Sequence, residues 1–283
     1  MMKEYHYVKH DIDPIAISFG NVIIHWYGLI YFLNFFVFRW LFFKKVDKKI
    51  FKKSEIENLL YLIFLGSLLG GRLGYVFLYN FSYFLKNLHC IFYIWNGGMS
   101  FHGGLIGVIL MIWVYSVFYK RSFLKTTDLI APLVPIVIGF GRLGNFINGE
   151  LWGKVTFVPW AIIFPKSIND DIIYITENPI FKPIFKKYLA LPRHPSQVYE
   201  MLLEGVFLFF ILRSFEKSIL PTGVLSANFL FFYGIFRILI EIFRQPDYQV
   251  GLLYGLSLGQ ILSLPMVFFG LSIYIGRIKD KKN

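Results

Sequence analysis

The chain is poor in cysteine and in charge. Its 283 residues include one cysteine, Cys90, so an internal disulfide and a Cys-rich metal site are both excluded. A lone Cys among aromatics is read as packing, not as a nucleophile. Charged residues make up 16% of the chain against 56% hydrophobic, and the mean hydropathy is +0.58. That balance excludes an ordinary soluble enzyme and points to a polytopic membrane protein. Acids are scarcer than bases, 17 against 29, for a net charge of +12. In a membrane protein this reflects cytoplasmic Lys and Arg beside anionic lipid headgroups. No nucleic-acid module is found, so no nucleic-acid partner is expected. There is no Gly-x-Ser-x-Gly, no metal-ligand spacing and no phosphate loop. Neither metal nor cofactor is expected. The start, Met1 to Phe19, has no apolar core and is not expected to be a cleavable signal peptide.

What the chain has in abundance is apolar length. Hydropathy predicts seven spans, at about 20–43, 57–79, 100–119, 127–147, 197–214, 222–243 and 256–276. No soluble domain interrupts them, so residues 1–283 read as a single integral membrane domain. The fold class expected is an all-α polytopic membrane protein with about seven transmembrane helices and a small periplasmic subdomain. That subdomain is the connection 151–195, whose prolines at 159, 165, 179, 183, 192 and 195 suggest short strands and turns.

Orientation follows from Lys and Arg in the short loops. Lys44, Lys45, Lys48, Lys49, Lys52 and Lys53 follow the first span, Lys120, Arg121 and Lys125 the third, Arg213 and Lys217 the fifth, and Arg277, Lys279, Lys281 and Lys282 the last. This places the N-terminus outside and the C-terminus in the cytoplasm. In that orientation the polar residues of all seven spans fall in one outer layer. Only Arg39 sits toward the inner end, where it can snorkel. A transporter, the rival class, needs polar groups along the whole path through the bilayer.

Three stretches carry the candidate chemistry. The first runs from Gly139 to Gly153 and sets Arg142, Asn145, Asn148 and Glu150 among five glycines. Ionisable groups at membrane depth face a cavity or a partner, and bare backbone lets a helix or ligand approach. The second is Tyr233, Arg237, Glu241 and Arg244, spaced four, four and three apart on one helical face. It is either an internal Arg237–Glu241 ion pair or a cationic wall for a phosphate, a role that suits the planar fork of Arg. The third is Gly97-Gly98-Met99-Ser100-Phe101-His102-Gly103-Gly104. Its glycines are expected to leave His102 unshielded and backbone N–H groups free to meet an anion. Gly66, Gly70 and Gly74 read first as a helix-packing seam, with Arg72 the less expected residue beside it. Glu200 and Glu204 share a face of the fifth span.

The stretch Gly141-Arg142-Leu143-Gly144-Asn145-Phe146-Ile147-Asn148-Gly149-Glu150-Leu151-Trp152-Gly153 resembles the signature of the bacterial prolipoprotein diacylglyceryl transferase family. Supporting matches run along the chain: Asp13-Pro14, Trp26-Tyr27-Gly28-Leu29, Gly71-Arg72-Leu73-Gly74, Met99 to Gly104, Arg193 to Gln197, Tyr199-Glu200, Arg237, Glu241 to Asp247, and Leu256 to Gln260. His25 departs from the pattern, which has a basic Arg there. The resemblance implies transfer of the diacylglyceryl group of phosphatidylglycerol to the lipobox cysteine of a prolipoprotein, forming a thioether and releasing glycerol phosphate. The partners implied are phosphatidylglycerol, prolipoprotein signal peptides with a lipobox cysteine, and membrane lipids. The location implied is the bacterial inner membrane. Catalytic candidates are His102, Arg142, Arg237 and Tyr233. Candidates for binding phosphatidylglycerol are Tyr27, Gly103, Gly104, Arg142, Asn145, Glu150, Gly153 and Glu241. The base that ionises the thiol is left open among His102, Tyr233 and no side chain at all.

Overall fold

A computed structural model describes residues 6–20, 22–47, 50–94, 97–246 and 250–282. Asp247, the last residue of one matched motif, lies outside the described residues. The chain is an all-α polytopic membrane protein. Among the described residues, five helices are long and apolar enough to cross a membrane: Trp26–Lys45 (α1), Lys53–Leu78 (α2), Phe101–Phe118 (α4), the run Phe123–Ile147, and Leu258–Lys279. A helix of about 20 residues matches the thickness of the hydrocarbon core. The short helix Phe81–Lys86 is α3. The run Phe123–Ile147 contains Phe123–Ile130 (α5) and Val134–Ile147 (α6), joined by a 3₁₀ turn at Ala131–Leu133.

The first span begins later than expected. Instead of helix from residue 20, the strands Ile15–Phe19 (β2) and Val22–His25 (β3) pair antiparallel. Their β-branched sequence favours a strand. Gly20, at φ +56, supplies the turn conformation that a side chain would strain. His25 ends β3 and is exposed.

The connection 151–195 also differs from the strand-and-turn expectation. Its strands are only Ile162–Ile163 (β4) and Pro192–Arg193 (β5). They form a sheet with Val8–Lys9 (β1), parallel to β4, in the order β1-β4-β5. The rest is chiefly helical: Ile168–Glu177 (α7) and Lys182–Tyr188 (α8). Pro165, Pro179 and Pro183 start helical turns instead of breaking them. A missing N–H is harmless in the first turn, where that donor has no helical partner.

The remaining helices are Ser196–Glu200 (α9), continued by a π-helix at Met201–Phe207 and by Leu208–Glu216 (α10), then Val224–Ile240 (α11) and Leu258–Lys282 (α12). The strands Leu252–Leu253 (β6) and Leu256–Ser257 (β7) form a small hairpin before α12.

The chain folds into two compact units. Unit one comprises Met1–Phe38, Val134–Ile211 and Phe232–Pro246; unit two comprises Arg39–Leu133, Leu212–Phe231 and Asp247–Asn283.

In unit two, α2 and α4 pack through the glycine seam. A Cβ at Gly66 would lie 2.6 Å from the Gly107 oxygen, and one at Gly74 would lie 2.6 Å from the Gly103 Cα. Arg72, buried on α2, donates to the carbonyls of Cys90, Ile91, Tyr93, Gly97 and Gly98 at 2.6–3.2 Å. It ties the loop after α3 to the helix. Arg39 does not merely snorkel: it pairs with Glu57 at 3.3 Å.

In unit one, α6 meets the π-helix where Gly139 faces Gly205. A Cβ on Gly205 would stand 2.8 Å from the Gly139 Cα. The connection 151–195 is held by Arg193 and Asp171, both fully buried. Arg193 Nε and Nη2 donate to Asp171 Oδ1 at 2.9 and 2.6 Å. Asp171 Oδ2 accepts from Ser167 Oγ and from the Leu191 N–H.

Candidate functional site: a buried arginine–glutamate cluster

An ion cluster forms in unit one where α6, the α9–π-helix segment and α11 meet. Arg142 and Asn145, three residues apart on α6, share a face. Arg142 Nε lies 3.1 Å from Glu200 Oε2, and its Nη2 lies 3.4 Å from Glu204 Oε2. Arg237 of α11 reaches the same two acids: Nη1 is 2.5 Å from Glu200 Oε1 and 3.5 Å from Glu204 Oε1. Its Nη2 contacts Glu241 at 2.6 Å. Arg244 adds a third cation, 3.0 Å from Glu200 Oε1 and 3.8 Å from Glu241. Glu200 and Glu204 are fully buried, and the Arg142 side chain is only 13% exposed. The two arginines singled out from the sequence therefore converge on one carboxylate pair. The simple Arg237–Glu241 ion pair exists, but it is one edge of a larger network.

Tyr233, one turn before Arg237, is fully buried beside this cluster. A second group adjoins it on α6. Asn145 Nδ2 donates to Glu150 Oε1 at 2.8 Å, and Tyr27 packs against Gly144, where a Cβ would lie 3.2 Å from its ring. The Tyr27 hydroxyl donates to Tyr31 at 3.0 Å. Gly153 answers a packing need: a Cβ there would lie 2.6 Å from both His194 Cβ and the Phe243 oxygen. Its N–H donates to the His194 carbonyl at 2.9 Å. His194, outside the spans, has its pKa lowered by burial and then by the charge of Lys154.

The predicted residues of unit two behave differently. His102 is buried, not unshielded, and its Nε2 lies 3.4 Å from Ser263 Oγ of α12. Nor are the glycine N–H groups free. Gly103 donates to the N-cap Ser100 Oγ at 3.2 Å, and Gly104 donates to the Ser100 carbonyl at 2.9 Å. Ser100 is an N-cap, so it consumes the donors that an anion would need.

Two buried arginines joined across helices by shared acids can gather negative charge in a low-dielectric site. Among the described residues no group of acids, histidines and cysteine has the makings of a metal site. The sequence from 14 to 276 matches the family model described as prolipoprotein diacylglyceryl transferase. The chain belongs to that family. It is 49% identical over 276 residues to the phosphatidylglycerol–prolipoprotein diacylglyceryl transferase of Photorhabdus laumondii, covering 96% of this chain and 95% of the relative. It is 52% identical over 268 residues to the enzyme of that name from Erwinia tasmaniensis, covering 94% and 92%. With the Buchnera aphidicola enzyme from Acyrthosiphon pisum it shares 51% over 267 residues, covering 93% and 95%.

Glu200 and Glu204 are the members of this transferase's cluster whose shared helical face the sequence shows but whose role it does not. Two acids four residues apart inside an apolar span were the available signal, since each needs a buried cation. The π-helix beneath Glu204 leaves no such mark.

Proposed function

We propose that the chain transfers the diacylglyceryl group of phosphatidylglycerol to the thiol of a prolipoprotein lipobox cysteine. The S–C bond forms as the glyceryl C–O bond breaks, and the electron pair leaves on glycerol phosphate. One observation carries this reading: Arg142 and Arg237, on different helices, converge on the same two carboxylates and so form a ready fork for a phosphodiester. A planar guanidinium fork suits phosphate oxygens better than a point charge does. The departing phosphate is a weak base and needs charge stabilisation more than a proton. Asn145, joined to Glu150, and Tyr27, packed against Gly144 beside them, are assigned to the lipid headgroup. The cysteine nucleophile belongs to the substrate, in keeping with the lack of a cysteine motif here. His102 is assigned as the base that takes the thiol proton, with Tyr233 as the first alternative and, as the second, no dedicated base, the arginine field alone favouring the thiolate.

The chain is assigned seven spans in the inner membrane, an outward N-terminus, a cytoplasmic C-terminus and a periplasmic 151–195 segment. The Lys and Arg distribution supports this topology. A reporter at residue 169 that reads cytoplasmic would contradict it.

The deciding experiment gives purified protein labelled phosphatidylglycerol and a lipobox peptide. A thioether product is expected, with a much lower rate when the donor is a zwitterionic phospholipid. Failure to form the thioether would reject the reading, and equal rates with both donors would reject the arginine fork.

A further inference from the structure

Among the described residues, the cluster that would bind the phosphodiester carries no surplus positive charge. Arg142, Arg237 and Arg244 supply three cations, and Glu200, Glu204 and Glu241 supply three carboxylates. A phosphodiester added to this balanced, buried set leaves one negative charge uncompensated. An unpaired charge in such surroundings is strongly disfavoured. One carboxylate must therefore give way.

The three acids are not held alike. Glu200 touches all three arginines, at 2.5, 3.0 and 3.1 Å. Glu241 keeps a short contact of 2.6 Å with Arg237. Among the described residues, Glu204's ion pairs are both long, 3.4 Å to Arg142 and 3.5 Å to Arg237. Strong charge-assisted bonds run to about 2.7–2.9 Å. Glu204 also imitates a phosphodiester in shape. Its Oε2 faces the Nη2 of Arg142 and its Oε1 faces the Nη1 of Arg237, one oxygen to each arginine. The two non-bridging oxygens of a phosphodiester would seek those same nitrogens. Glu204 lies in the π-helical turn, a local irregularity that recurs at functional sites.

Building on the transferase reading, we propose that Glu204 is a resident counter-ion which the lipid phosphodiester replaces, and that it takes up one proton as it yields. It acts through Arg142 and Arg237 and is a positioning residue. The charged and titratable groups around it are Arg142 on α6, Glu200 on its own segment, and Arg237, Tyr233 and Arg244 on and just after α11. Once neutral, the carboxyl gives up both guanidinium nitrogens without leaving a buried charge. When product departs, the proton is released and the carboxylate returns to the arginines. Glu204 thus keeps the empty site neutral and favours release of the phosphate.

The test is calorimetric titration of the full chain in detergent with short-chain phosphatidylglycerol. It is run at about pH 8, where free histidines are neutral, in two buffers of different ionisation heat. The wild type is expected to take up about one proton per lipid bound. Glu204→Gln, which mimics the neutral acid, is expected to bind at least as tightly with no uptake. A merely structural ion pair would instead give weaker binding in the variant and no proton linkage in the wild type. Lipid binding without uptake by the wild type overturns the proposal, even if the variant fails to fold. So does equal uptake by Glu204→Gln. Absence of lipid binding by the wild type would overturn the transferase reading and this proposal with it.

Discussion

Arg72 in unit two and the Arg142–Arg237 pair in unit one are both buried guanidinium sites near the ends of apolar helices, yet they are satisfied in opposite ways. Arg72 spends its donors on five backbone carbonyls of one loop. Carbonyls cannot leave without unfolding that loop, so this cation is structural. Arg142 and Arg237 are held by side-chain carboxylates. A carboxylate can turn, take a proton or be replaced by another anion. A buried arginine in a membrane helix therefore says little until its partners are known.

The sharpest challenge to this division is His102, the one group of unit two assigned a chemical step. If it is the base, His102→Asn should lower the thioether-forming rate roughly 10²–10⁴-fold. The wild-type rate should also fall on the acid side as the base takes up a proton, and that limb should vanish in the variant. A variant that keeps both its rate and the acid limb would leave unit two with packing roles alone. Tyr233→Phe in the same assay would then test the alternative.

The arginines come next. Arg142→Lys or Arg237→Lys should reduce turnover by about 10²–10³-fold, the usual effect of losing a preorganised donor to developing charge. Arg72→Lys should act on stability instead. It removes most of the guanidinium's charge-assisted hydrogen bonds to the loop carbonyls, each worth about 1.5–3 kcal/mol, lowering the unfolding midpoint while turnover per folded molecule changes little. If Arg72→Lys instead left the midpoint intact and abolished turnover, the division between fixed and exchangeable cations would fail.

Much of this was legible in the sequence. Arg142, Arg237 and Glu241 stand out because charge inside an apolar run demands a partner, and helical spacing puts Tyr233, Arg237, Glu241 and Arg244 on one face. The glycine seam of α2 was equally plain from its four-residue period. The start of α1 was not, because hydropathy cannot tell the Ile- and Val-rich hairpin at 15–25 from the helix that follows. The burial of His102 is hidden in the sequence for a related reason. Neighbouring glycines suggest open space, but small residues also let another helix come close, and Gly103 does that against Gly74. The helices of 151–195 escaped because a proline breaks a helix interior but starts a first turn.

The paired glycines sharpen the same contrast on a smaller scale. A Cβ at Gly103 would lie 2.6 Å from the Gly74 Cα, whereas one at Gly104 would come no closer than 3.4 Å to any neighbour, the Ser67 oxygen. Gly103→Ala should therefore destabilise the α2–α4 seam by about 1–3 kcal/mol, as overpacking does, and Gly104→Ala by much less. Thermal unfolding of the two variants checks this. Equal effects would mean the seam is looser than its geometry.

The smallest effect separates two histidines that would both respond to mild acid. His194 in unit one sits against Phe243, with ring centroids 5.2 Å apart, and its Nδ1 lies 3.1 Å from the Tyr199 hydroxyl. Burial, and then the Lys154 charge, lower its pKa in the folded protein below the ordinary 6.5. The unfolded chain therefore binds this proton more readily than the native one. Stability should be unaffected well above pH 6.5, decline as pH falls through about 6.5, and level off once the folded histidine also protonates. The ring is partly exposed, so solvent screening keeps the change small. Unfolding midpoints between about pH 8 and pH 5 should show this slope in the wild type and lose it in His194→Gln. The acid limb of the rate, by contrast, should survive in His194→Gln and disappear in His102→Asn. If His194→Gln removed the rate limb as well, the acid sensitivity of turnover would belong to the packing of unit one, and the assignment of His102 as base would fall.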